Sequence, residues 1–353
     1  MTVDIKRCRA FWARDEVDRP LLAAWVGSYE MASLFPRGLA QLREGELNPD
    51  DIQFEFFRRD YEALFEKHSQ VAADMPWSAF PLMVVPWVEA IAGCPIVHRS
   101  GNVWAEPWLG SYERLNERHA PRLDWLAKLE EFTDWLVSFA GGRFPVAVSL
   151  MRGPTDVLAA MRGAQNSVLD LMDSPEAVTH ALDWITDLWI RVARAQLSHI
   201  PPFAGGYGWS VQNLWSDVPG VWFQDDALAY WSPSLFSAYA VPREMKLAGC
   251  VARTGIHLHS VALFAVDGLL KMPELGVVEV NLDDVGETIP EMIPTFRRIL
   301  ESQRLYVWGH FSEDDLLTMR KELPAKELAL QLMYETPAAV SAMIRRVEEI
   351  WAT

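Results

Sequence analysis

A (β/α)8 barrel of the TIM type with a helical N-terminal extension is the fold this sequence predicts. Three observations carry the prediction. Short apolar runs alternate with long amphipathic segments along most of the chain. No internal repeat and no Gly/Ser/Pro tract divides it. Two successive runs, 255–260 and 277–283, place polar residues at every second position, as strands facing a closed interior do. A chain of 353 residues lies within the range of one such barrel. Residues 1–353 are therefore read as one unit, with a helical, Trp-rich part of about 1–140 covering one end.

The elements follow in order. Strands are expected at 21–27 (LLAAWVG), near 70–74 (QVAAD), and at 145–151 (PVAVSLM), 202–208 (PFAGGYG), 255–260 (GIHLHS), 277–283 (VVEVNLD), 304–309 (RLYVWG) and 328–333 (LALQLM). Helical periodicity fills the gaps. Thr155 opens one helix as N-cap, Ser174 before Pro175 and Glu176 another, and Ser232 before Pro233 a third. Pro242 is expected to kink or split that third helix. Two further capped helices begin near Ser312 and Thr336.

Composition narrows the function. Half of the residues are hydrophobic and 23% are charged, as in a globular chain, and the formal charge of −16 repels phosphate backbones. Nucleic acid is therefore not an expected partner. Neither a membrane-spanning run nor a signal peptide is apparent, so no membrane partner is expected. Cys8, Cys94 and Cys250 lie far apart and form no CxxC, which fits a reducing cytoplasm. A small-molecule substrate remains, and the 16 tryptophans offer walls for a flat ligand or filling for a core.

Candidate site residues come from the two alternating runs. His257 and His259 share one strand face, and Glu279, Asn281 and Asp283 share the neighbouring one. The outer face of a barrel packs on helices, so these polar sets point inward and end at the C-terminal mouth, where barrels of this type do their chemistry. Two imidazoles on one face suit a Zn²⁺ ion or a general acid/base; the alternative is a hydrogen-bonded interior pair. Asp226 of the Asp225–Asp226 pair can ligate or orient if its loop folds over the mouth, and flanking aromatics (Trp222, Phe223, Tyr230, Trp231) suggest that it does. Otherwise it is a helix-start acid. The stretch 204–217 lacks the third glycine of a dinucleotide loop, and its Tyr207, Trp209 and Trp215 are candidate substrate walls or core aromatics. Asp74 is a strand-end carboxylate or a turn former, and Glu106 between Trp104 and Trp108 fits a surface hairpin. Patterns for nucleotide hydrolysis, zincin proteolysis and the common serine hydrolases are absent.

Three stretches taken together resemble the uroporphyrinogen decarboxylase superfamily. They are SLMRGPTDVLAAMRGAQNSVLDLMDSPEAVTHALDWITDLWI, DDALAYWSPSLFSAYAVPREMKLA and GIHLHSVALFAVDGLLKMPELGVVEVNLDD. The resemblance covers roughly 145–345, with a looser match through VDRPLLAAWVG, Asp74 and NVWAEPW. It implies a barrel and one of several activities. The decarboxylases' N-terminal Arg-Gln-Ala-Gly-Arg motif is replaced by DRPLLAAWVGSYE, where Arg19 alone is close. The thiol-activating methyltransferases' His-x-Cys-Gly reads His257-Leu258-His259-Ser260 here. The third branch, substrate-side methyltransferases of corrinoid systems, fits better. It implies transfer of a methyl group from an ether or amine to a cobalamin carried by a partner protein. In that case His257, His259, Asp226 and Asp283 would carry the chemistry, with zinc on the histidines, and Asp74, Tyr207, Trp209, Trp215 and Glu279 would contact substrate. Decarboxylation of a small acid is the alternative, and a non-catalytic ligand-binding relative the third. Members often pair, so a homodimer is also expected.

Overall fold

The computed structural model describes residues 3–82, 84–115, 120–283 and 286–352. Seven strands form one parallel sheet: β1 (Leu21–Val26), β2 (Met151–Arg152), β3 (Gly220–Gln224), β4 (Arg253–His259), β5 (Val277–Asn281), β6 (Arg304–Gly309) and β7 (Leu328–Tyr334). Their spatial order is β1-β7-β6-β5-β4-β3-β2, and every pairing is parallel. Helices connect the strands on the outside, which makes the fold TIM-barrel-like. Between β1 and β2 the gap is spanned by single contacts. The Asp74 N–H donates to the Leu22 carbonyl at 3.1 Å, and Ala79 makes one parallel bridge to Val146.

Five predicted strands, at 21–27, 255–260, 277–283, 304–309 and 328–333, appear within a few residues of their expected limits. Three differ. Residues 70–74 form no strand, because Asp74 turns its carboxylate back onto Arg19 and the Leu22 N–H. In the run 145–151 only Met151 belongs to a strand, which continues to Arg152. The run 202–208 contributes only Tyr207–Gly208 to a small antiparallel hairpin with Trp215–Ser216, and the sheet strand is instead Gly220–Gln224. A continuous apolar run buried on both faces shows no alternation, which hides a strand such as GVWFQ in front of its acidic loop.

The capping signals hold in part. Ser232 accepts the Leu235 N–H and Ser312 and Asp315 form a capping box, while Pro175–His199 starts directly after Ser174 without a capping hydrogen bond from its side chain. Thr155 does not cap. The helix Pro154–Arg162 begins after Gly153, the Thr155 hydroxyl donates to Asp225, and Gly163 separates that helix from Ala164–Asp173. The break expected near Pro242 is a π-helical turn at Phe236–Ala240. The N-terminal part is more mixed than expected. It supplies β1 and a three-stranded antiparallel sheet of Gly45–Leu47, Ile96–Arg99 and Asn102–Ala105. The last two strands form the hairpin that carries Trp104, and Glu106 just beyond it accepts the Trp104 indole N–H at 2.7 Å.

Cys8, Cys94 and Cys250 are buried free thiols. Among the described residues no helix is long and apolar enough to cross a membrane. The interior is not hollow. Residues 209–214 enter it from the end where the strands start: Trp209 lies against Gly220, while Gln212 and Asn213 are buried. Asn213 donates to the Ala24 carbonyl and accepts the Ser78 N–H, and Gln331 donates to the Val211 carbonyl. This plug leaves the opposite, C-terminal end for chemistry.

Candidate active site

Strand register builds the centre. Gln224, His257 and Glu279 are side by side on β3, β4 and β5, and one step later His259 stands beside Asn281. Inward-facing positions on successive parallel strands thus bring the two polar runs together. His257 Nδ1 lies 2.8 Å from Glu279 Oε1, and His259 Nδ1 lies 2.8 Å from Asp283 Oδ1. Each carboxylate takes the Nδ1–H, which leaves both Nε2 atoms facing one another at 3.4 Å. Asp226 completes the group, its Oδ1 3.7 Å from His259 Nε2. One donor atom from each of Asp226, His257 and His259 falls within 4.8 Å of the others.

Further side chains fix this geometry. Glu279, fully buried, accepts from Gln212 at its other oxygen, 2.8 Å away. Asp283 accepts the Ser260 N–H and hydroxyl and the Asn281 amide. Asp226 Oδ2 accepts from Gln224 at 2.8 Å. The loop bearing Asp226 is latched from behind. Asp225 turns inward to accept the Thr155 N–H and hydroxyl, and Asp156 accepts the N–H groups of Asp226 and Ala227. Gly153 permits this, since a Cβ there would lie 2.5 Å from an Asp225 oxygen. The loop does fold over the mouth.

Electrostatics follows the same contacts. Burial alone would depress His257, but the charge and hydrogen bond of Glu279, helped by Asp226 and Asp283, outweigh it and raise its pKa to about 9. Burial would raise Asp283, but hydrogen bonds from His259 and Ser260 prevail and lower it to about 2. Burial raises Asp225 to about 7 and holds Asp156 and Glu244 well above the carboxylate range. These three acids lie behind the loop that carries Asp226, so a metal would find its carboxylate in Asp226.

His257, His259 and Asp226 could hold a divalent ion, the imidazoles being at tetrahedral spacing and Asp226 set wider, its Oδ1 3.7 Å from His259 Nε2. With bonds of about 2.0–2.1 Å, two tetrahedral ligands stand about 3.3 Å apart, close to the 3.4 Å between the imidazole nitrogens. Each imidazole is backed by a carboxylate, the usual second layer of a histidine metal site. The three side chains also line a cavity of about 250 Å³ together with Tyr29, Leu150 and Trp308, where a further ligand of such an ion would have room.

Of the residues singled out in the sequence, the structure unites His257, His259, Asp226, Asp283 and Glu279. Glu279 sits behind His257 rather than against the cavity. The others lie elsewhere. Trp209 and Trp215 pack with Trp12 at the strand-start end, and Tyr207 pairs with Ser216 there. Asp74 is held at 2.6 Å by Arg19 and anchors β1. Gln212, Gln224, Ser260 and Trp308 were not signalled: single amides, hydroxyls and aromatics carry no spacing pattern, and Gln212 arrives from a distant loop.

No protein-family model and no curated protein matches the chain. Among solved structures, a methyltransferase from Methanosarcina mazei aligns over 99% of this chain and 100% of its own, with a TM-score of 0.64 and 16% identity. At that identity the likeness is one of fold.

Proposed function

We propose that the chain is a methyltransferase that moves a methyl group from an ether or amine donor to cobalt(I) of a corrinoid held by a separate protein. One observation carries the reading: two imidazole Nε2 atoms and Asp226 converge beneath an apolar-walled cavity, each imidazole backed by a carboxylate. The superfamily resemblance and the fold of the Methanosarcina methyltransferase agree with it. In the reaction the methyl–oxygen or methyl–nitrogen bond breaks. Its electron pair stays on the heteroatom, and the methyl passes to the reduced acceptor. An alkoxide or amide leaves poorly without assistance. His257, His259 and Asp226 would hold a zinc ion, which would supply Lewis acidity at that heteroatom.

The chain's own groups do the rest. Glu279 and Asp283 hold both imidazoles in the tautomer that offers Nε2. Gln224 aims Asp226, and Trp308 and Tyr29 wall the cavity beside the triad. Asp226 and His259 remain partly exposed, so solvent can protonate the freed heteroatom.

The test is elemental analysis of untagged protein, wild type beside His257→Ala, His259→Ala and Asp226→Asn. It is followed by methylation of reduced cobalamin with ether, amine and thioether donors. Near-stoichiometric zinc that falls in all three variants, together with methylcobalamin formation, is the expected result. No methyl transfer from any donor would sink the reading.

A further inference from the structure

We infer that Arg152 reads a carboxylate on the methyl donor, an assignment that rests on the transfer reading above. The cavity over the triad joins two others at the mouth, and Asp226 lines all three. The neighbouring cavity, also of about 250 Å³, is walled by Trp87, Trp104 and Leu150. Among the described residues Arg152, at the C-terminal end of β2, is the one arginine or lysine lining any of them.

Its surroundings leave a binding edge. The Arg152 side chain is 40% exposed, and one Nη2 lies 2.5 Å from Glu89 Oε1, whose side chain is buried beneath it. Among the described residues this is its one ion pair. Asp156 and Asp226 also face the guanidinium, but both are committed elsewhere. Asp156 spends its two oxygens on the loop N–H groups, and Asp226 belongs to the triad. A guanidinium offers five N–H donors in a planar fork, of which Glu89 engages one edge. Glu89 thereby tethers Arg152 at Nη2, and the partly exposed guanidinium, which lines two of the cavities, keeps a second edge for a ligand. A carboxylate matches that edge with two parallel hydrogen bonds. The donor class this defines is a flat or apolar acid: its carboxylate meets Arg152, its body lies against Trp87 and Trp104, and its methyl-bearing atom reaches the triad past Asp226. A purely structural Arg152–Glu89 pair would not distinguish acids from their amides.

The experiment uses the zinc-loaded full chain and calorimetric titration with 3-methoxybenzoate and 3-methoxybenzamide, a pair that differs only in the charged group. Wild type is expected to favour the acid by roughly tenfold or more. Arg152→Gln, and Arg152→Gln combined with Glu89→Gln so that no unpaired charge stays buried, should bring the ratio near one while amide binding persists. Arg152→Lys should fall between. Equal binding of acid and amide by wild type, no binding of the acid, or an unchanged ratio in Arg152→Gln would overturn the inference. Cobalamin methylation measured alongside separates the two readings. An Arg152-dependent acid preference without methyl transfer leaves the carboxylate reader standing and removes the transferase. Transfer at equal rates from acid and amide does the reverse.

Discussion

Replacing Glu279 by Gln tests whether the carboxylate behind His257 does more than fill space. In the metal-free protein His257 has a pKa of about 9, and Glu279 is the main group opposing the effect of burial. Zinc at pH 7 must therefore displace a proton held about two pH units too tightly, a cost of about 3 kcal/mol or roughly 100-fold in affinity. The substitution removes that cost, because a neutral amide leaves burial to depress the imidazole. It also introduces a conflict. The Gln212 amide already donates to one oxygen of Glu279. A glutamine that accepts from Gln212 must present its NH₂ to His257 Nδ1, which moves the ring proton to Nε2 and blocks the ligand atom. The opposite flip sets two NH₂ groups against each other. Loss of such a supporting partner costs about 10–100-fold in metal affinity. Wild-type zinc affinity, measured against a chelator of known affinity, should thus rise about tenfold per pH unit between pH 7 and 9 through this proton alone. The variant should follow a flatter line and bind more weakly than wild type at pH 9. Identical slopes for the two proteins would refute the coupling.

Other outcomes follow from nearby contacts. Gly153→Ala places a methyl group against the Asp225 carboxylate, 2.5–2.7 Å from its atoms. It should cost roughly 1–3 kcal/mol in stability and weaken zinc binding by displacing Asp226; an unchanged melting temperature would show that the latch yields freely. Buried His68 is held neutral, its Nδ1–H donating to the Leu64 carbonyl while Nε2 accepts the Val26 N–H. Burial outweighs the Leu64 hydrogen bond and lowers its pKa to about 4. Its contribution is complete above pH 6.5 and is lost as pH falls toward 4, about 3 kcal/mol in all. Urea titrations at pH 7 and 4.5 should show His68→Leu losing less stability than wild type over that interval. Equal losses would contradict the assignment.

The sequence revealed the site where chemistry depends on alternation. His257, His259 and Glu279 occupy matched positions on adjacent strands, so a period of two was enough to place them together. Asp226 needed the loop to fold over the mouth, and the surrounding aromatics pointed that way. The pattern misleads where a segment leaves the alternating plan. Tyr207, Trp209 and Trp215 look like a pocket in the sequence but belong to the hairpin and plug at the far end. β3 was hidden because its five residues are all buried. Arg152 belongs to no motif in the sequence, and its partner Glu89 lies 63 positions earlier with no pattern linking them.

The loop lodged among the strands of the TIM-barrel-like sheet bears on how the chain reaches its native state. Its bonds join residues far apart: Gln212 to Glu279 across 67 positions, Val211 to Gln331 across 120, Ser78 to Asn213 across 135 and Ala24 to Asn213 across 189. Each requires a long loop closure, so these bonds are expected to form late, after the strands they join have gathered. His257 should then acquire its oriented partner late, because Gln212 supports the far oxygen of Glu279. Metal competence should then lag behind secondary structure during refolding, and a chain truncated before β7 would leave the Val211 carbonyl without Gln331.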